Sequence, residues 1–150
     1  MDLVDKYGRD ILTSEKMQKE QEFRHHGRKS CFCHSVNVAY ESVKLAKKWC
    51  KTADMRALVR GALLHDYYLY DWHISEKSHK WHGFKHAKTA LENASRDFEL
   101  NDIERDIIRK HMFPLNLRIP KYKETWIVCL ADKICAVKDM FAVNKCSHGK

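Results

Sequence analysis

Apolar residues recur at the three-and-four spacing of an α-helix along almost the whole chain, and no segment sustains the two-residue alternation of a half-buried strand. Only two prolines and five glycines interrupt the pattern. Helices with apolar stripes must bury them against one another, so the chain is predicted to be all-α. Its 150 residues suit one domain, and at 44% hydrophobic content it can build a core without disulfides or a structural metal.

The spacing predicts a first helix over 13–25, with Ser14 as its N-cap, broken by "HHGRKS". A second runs from about Cys31 to Trp49, with His34, Val38, Leu45 and Trp49 on one stripe. A third spans Ala53 to about Tyr67, with Asp54 near its start. "LYDWHISEKSHKWHG" reads as a loop rich in aromatics and histidines, and a fourth helix follows from about His86 to Asp97. Asn101 and Glu104 have the spacing of a capping box at the head of a fifth. "FPLNLRIPKY" is a loop with both prolines, and a last helix covers Tyr122 to about Val143. There are no repeats and no low-complexity linker.

Several stripes contain residues that apolar faces exclude. In the third helix the stripe Met55, Leu58, Val59, Ala62, Leu63 continues by steps of four and seven onto His65 and Asp66. A buried carboxylate is costly unless it is paired or holds a metal. In the fifth helix Ile103 and Ile107 lead to His111; in the last, Val128 and Cys129 lead to Asp132. His34 precedes Val38 on its stripe, and His86 heads the stripe through Ala90. Any one inward histidine is more often a hydrogen-bonded core residue. Five helices that each turn a His or Asp inward point to one shared centre of four imidazoles and two carboxylates. That donor set suits a borderline transition metal or a pair of them, and not calcium, which takes oxygen ligands.

The order His34, His65-Asp66, Asp132 resembles the H…HD…D signature of the HD-domain metal-dependent phosphohydrolases. "HSVNVAYESVKLA", "GALLHD" and "CLADKICAV" resemble that family's landmark segments. His86 and His111 resemble the intervening histidines of its dinuclear H…HD…H…H…D branch, which includes bacterial diadenosine tetraphosphate hydrolases and cyclic-dinucleotide phosphodiesterases. "HDYYLYDWH" and "HGFKHAKTALENA" are similar to segments of small bacterial HD-domain proteins. The likeness covers about residues 25 to 142. It implies a compact, single-domain helical bundle over 25–143, with a helical extension over 1–24 and a flexible tail over 144–150. It also implies a first metal on His34, His65, Asp66 and Asp132, and a second on His86 and His111. Asp66 would bridge the two, and His65 and Asp66 would be the catalytic pair. The metals implied are divalent transition ions, Fe or Mn before Ni, Co, Zn or Mg. His82 lies four residues before His86 and is an alternative ligand, although "HAKTAL" better resembles the segment after the family's ligand histidine.

There are two departures. Many relatives continue the doublet as HD-x-G-K; here Tyr67, Tyr68 and Leu69 follow it, so that lysine is missing. The GYP motif of cyclic-di-GMP enzymes is also missing, which counts against that substrate. With 28 Lys and Arg against 20 Asp and Glu, the net charge of +8 favours an anionic ligand. Arg28, His82, Lys85 and Lys133 are the candidates to meet substrate phosphate, and Lys110 also adjoins a ligand position.

The function expected is hydrolysis of a nucleotide or small phosphate ester by metal-activated water. The alternative is a non-enzymatic metal- or nucleotide-sensing module. A nucleic-acid-binding domain is disfavoured, because the basic residues form no concentrated face. Cys31, Cys33 and His34 raise the question of a zinc site, but no second ligand pair stands at a matching distance. The charged start lacks the apolar core of a signal peptide, and no apolar run approaches the ~20 residues of a membrane span, so a cytoplasmic protein is expected.

Overall fold

A run of charge-poor residues at the centre of the sequence, "ALVRGALL", forms a helix that is buried on all sides. Ala57 through Leu64 are each almost wholly inaccessible, as expected of a helix surrounded by others. In the computed structural model, which describes residues 1–22, 29–68 and 82–141, this is α4 (Met55–Leu64). It is preceded by α1 (Leu3–Leu12), α2 (Glu15–Lys19) and α3 (Cys31–Trp49), and followed by α5 (His82–Asp97), α6 (Asp102–Lys110) and α7 (Lys123–Phe141). α1, α3, α6 and α7 all pack against α4, and α5 packs on α6. The fold is an all-α bundle, with no strand among the described residues.

Local chemistry sets the helix starts. The side chains of Asp2, Ser14, Ser30, Asp54 and Asn101 each accept a backbone N–H from the residue three positions on, satisfying donors that a first turn leaves without partners. Asn101 and Glu104 form the reciprocal capping box. One core joins Val4, Ile11 and Met17 from the first two helices to Val38, Leu58, Leu63, Ala90, Ile107 and Val128. Arg60 is buried among these residues. Its guanidinium donates to Asp10 of α1 at 2.7 and 2.8 Å and to Glu104 of α6 at 3.1 Å, which ties three helices at one point.

The structure corrects several helix boundaries. The helix expected over 13–25 is the short α2, which ends at Lys19, and α1 precedes it. The stripe of α1 is interrupted by Gly8, which is buried against Leu63 and Val59 of α4 and leaves no room for a side chain. α4 stops at Leu64, so His65 is its C-cap and Asp66 lies in the following turn. α5 starts one turn before His86, at His82. Trp49, placed on the α3 stripe, is 62% exposed because the last turn of α3 runs past the core. The aromatic loop and the tail after Asn144 lie outside the described residues.

Gly61 fixes the distance between α4 and α6. A Cβ there would stand 2.5 Å from Ile107 Cδ1 and 3.0 Å from its Cβ. Gly61→Ala is expected to lower stability by about 1 kcal/mol, because an overpacking penalty of about 1–3 kcal/mol outweighs the roughly 1 kcal/mol helix preference of alanine. Urea unfolding measures this directly. An unchanged or raised midpoint would contradict so close a helix approach.

Candidate metal centre

The inward polar residues come from the ends and middles of separate helices. His34 is one turn into α3, and Asp132 is mid-way along α7. His65 and His111 are the C-caps of α4 and α6, and both keep right-handed helical dihedrals. That geometry carries their side chains along the direction of the helix stripe although the helices have ended. Asp66 follows His65 in the turn, and His86 projects from α5.

All six meet. His34 Nε2 lies 2.9 Å from Asp132 Oδ1 and 3.9 Å from Asp66 Oδ2. His65 Nε2 lies 3.3 Å from Asp66 Oδ2 and 3.5 Å from Asp132 Oδ1. The other oxygen of Asp66, Oδ1, lies 2.8 Å from His86 Nε2 and 3.4 Å from His111 Nε2. The two oxygens of one carboxylate thus address two different pairs of imidazoles. Three groups could each hold an ion: His34, His65 and Asp66; His65, His111 and Asp132; and Asp66, His86 and His111.

The tautomers are set from behind. His65 Nδ1 lies 2.6 Å from the carbonyl oxygen of Ala62, and His111 Nδ1 lies 2.9 Å from that of Ile108. A carbonyl only accepts, so each Nδ1 carries a proton and, in the neutral ring, each Nε2 offers a lone pair. Both Nε2 atoms are buried without a hydrogen-bond partner. A buried polar atom without a partner is costly, and coordination to a divalent ion would satisfy each. The donor set therefore fits a metal. His34 Nε2 also faces the cluster, while its Nδ1 lies 3.3 Å from Asp139 Oδ2.

The cluster's electrostatics favour a cation. Burial lowers the pKa of His65, but the negative charge of Asp66, followed by Asp132, outweighs burial and raises it well above the ordinary histidine value. Burial would raise the pKa of Asp132, but His34 and His65 hold it well below the usual carboxylate range. Of the six residues only Asp132, at 16%, and His86, at 12%, show appreciable side-chain exposure.

The remaining candidates are placed less uniformly. Lys133 Nζ donates to the carbonyl oxygens of Phe113 at 2.6 Å and Cys129 at 3.3 Å. Lys85 is exposed, and Lys110 pairs with Asp106 at 2.5 Å. Arg28 and the side chain of His82 lie outside the described residues. Cys31 Sγ lies 3.5 Å from the Tyr68 hydroxyl, Cys33 is exposed, and neither belongs to a metal-ligating group among the described residues. Tyr67 and Tyr68, in the stretch where relatives carry the HD-x-G-K lysine, are buried. The ring of Tyr68 lies against His86 at 3.8 Å between centroids.

Two nearby carboxylates escaped sequence reasoning, Asp139 and Glu20. Glu20 caps α2, is 1% exposed, and neither of its oxygens has a hydrogen-bond partner. Burial, reinforced by the charge of Asp66 and opposed by His65, raises its pKa well above the ordinary 4.5. As pH rises past that ordinary value, the unfolded chain loses this proton before the folded one does, so Glu20 makes stability fall with pH. In metal-free protein, Glu20→Gln is expected to raise Tm at pH 8, with a difference that shrinks toward pH 4. A difference independent of pH would contradict the buried, raised carboxyl.

A family model described as HD domain matches residues 31–137. No curated protein and no solved structure matched the chain in the same comparisons. Among the described residues no helix is long and apolar enough to cross a membrane.

Proposed function

We infer, for a chain that belongs to the HD-domain family, that it hydrolyses a nucleotide or small phosphate ester with water activated at a two-metal centre. The observation that carries this reading is the divided carboxylate of Asp66, with Oδ2 toward His34 and His65 and Oδ1 toward His86 and His111. One half of the centre comprises His34, His65, Asp132 and Asp66 Oδ2; the other comprises His86, His111 and Asp66 Oδ1.

Divalent ions held by these residues would supply the acidification of water near neutral pH and the positive charge that phosphoryl transfer needs. The protein's own residues do the rest. Asp66 sets the separation of the two halves. The Ala62 and Ile108 carbonyls hold the protons of His65 and His111 away from the ligand side. Asp132 and His86 border the side open to substrate. The net charge of +8 raises the local concentration of anionic substrate. Arg28, His82, Lys85 and Lys133 are proposed to meet its phosphates. Lys133 would exchange the Phe113 carbonyl for a phosphoryl oxygen, a charged acceptor in place of a neutral one.

His65→Ala and Asp66→Ala are each expected to reduce metal content and to lower hydrolysis of a nucleotide and phosphate-ester panel by more than about 100-fold, beyond the cost of losing an outer-shell partner. Elemental analysis of anaerobically purified protein, alongside that panel, checks both. Unchanged metal content and turnover in the two variants would refute the reading. Metal retained by the wild type with tight nucleotide binding and no turnover would assign the chain to the sensing alternative.

A further inference from the structure

His34, one turn into α3, differs from the C-cap ligands His65 and His111 in what stands behind it. His65 and His111 each use the carbonyl three residues back in their own chain, an acceptor any helix end supplies. His34 Nδ1 instead faces Asp139 Oδ2 at 3.3 Å, a residue 105 positions away. Asp139 follows Asp132 by seven residues, two turns along the same face of α7. One helix therefore meets both edges of the His34 ring, with Asp132 at Nε2 and Asp139 at Nδ1. Behind Asp139, Lys29 Nζ lies 2.5 Å from its Oδ1. The side chains of His34 and Asp139 are 0% and 3% exposed, and that of Lys29 is 23% exposed.

We propose that Asp139, braced by Lys29, is a positioning residue that fixes the tautomer and orientation of His34 and so sets the metal affinity of the His34, His65, Asp66 and Asp132 half. This rests on the two-metal reading above. Both ring nitrogens face carboxylates that can only accept, Asp132 at Nε2 and Asp139 at Nδ1; with a metal held by Asp132 and Nε2, Asp139 would keep the ring proton on Nδ1 and leave the Nε2 lone pair for the ion. Its carboxylate is also a stronger acceptor than a carbonyl and makes the imidazole a better donor. Lys29 holds the carboxylate in place through its other oxygen. The pair lines a groove of about 520 Å³ with Asn37, Glu41 and Cys135.

The arrangement predicts an unusual effect for Asp139→Asn. The Lys29 ammonium claims the amide oxygen, which turns the NH₂ toward His34 Nδ1. A donor at Nδ1 requires a lone pair there and moves the ring proton to Nε2, where it blocks the metal. Zn²⁺ serves as a diamagnetic probe, titrated into metal-free protein against a competing chelator. D139N should weaken Zn²⁺ binding by about 10–100-fold. Adding Lys29→Met frees the amide to turn its oxygen toward His34, and the double variant should recover much of the loss. In zinc-loaded wild type, ¹⁵N spectra of the imidazoles should show His34 protonated at Nδ1. Equal affinity in D139N and wild type would overturn the positioning role and leave the metal reading standing. Weakening that Lys29→Met does not relieve would overturn the tautomer mechanism. A wild type that bound no Zn²⁺ would overturn both readings.

Discussion

The site depends on the two oxygens of Asp66 facing in different directions. His34 and His65 stand on one side of this carboxylate, and His86 and His111 on the other. Each of its oxygens lies toward a different pair of rings. A carboxylate in so buried a place is unfavourable alone. Among the described residues its near neighbours are imidazoles; His65 and His111 turn Nε2 toward it with the Nδ1 proton held behind, and His86 Nε2 lies 2.8 Å from Oδ1. The charges of Asp66 and Asp132 raise the pKa of His65. A metal bound there would compete with protons, and its affinity would be tied to pH by the same charges that assemble the site.

The fold builds this arrangement from packed helices. α4 is enclosed by α1, α3, α6 and α7, and its end carries His65 and Asp66 to the place where those helices converge. Gly61 lets α6 approach closely, which brings the rings of His65 and His111 to 4.9 Å between centroids. Arg60, one turn before Leu64, ties α4 to Asp10 and Glu104. Packing and site geometry thus share residues, and a change in helix spacing also changes the ligand distances.

Much of this was legible in the sequence because it is local. The caps Ser14 and Asn101, the capping box with Glu104, and the inward stripes that end in His65, His111 and Asp132 all follow from spacing alone. The stripe arithmetic still located His65 beyond the end of α4 because a C-cap in helical dihedrals continues the same direction. What was hidden depends on distant contacts. α1 was not among the expected helices; its Gly8 is buried where Leu63 and Val59 of α4 occupy the side-chain space. Asp139 looks like an ordinary polar residue near a helix end, and only its contact with His34 gives it meaning. Glu20 sits in a charged stretch that predicts exposure, yet it is buried where α2 meets α3, its backbone carbonyl accepting the N–H of Phe32. Lys133, placed by sequence beside the ligands, spends its ammonium on the Phe113 carbonyl.

The central claim is that Asp66 joins two metal positions. Anomalous diffraction from crystals of the metal-loaded protein tests it most directly. Two peaks are predicted, one beside Asp66 Oδ2 with His34, His65 and Asp132, and one beside Asp66 Oδ1 with His86 and His111. No peak, or a single peak held by His65, His111 and Asp132 with Asp66 uninvolved, would contradict it.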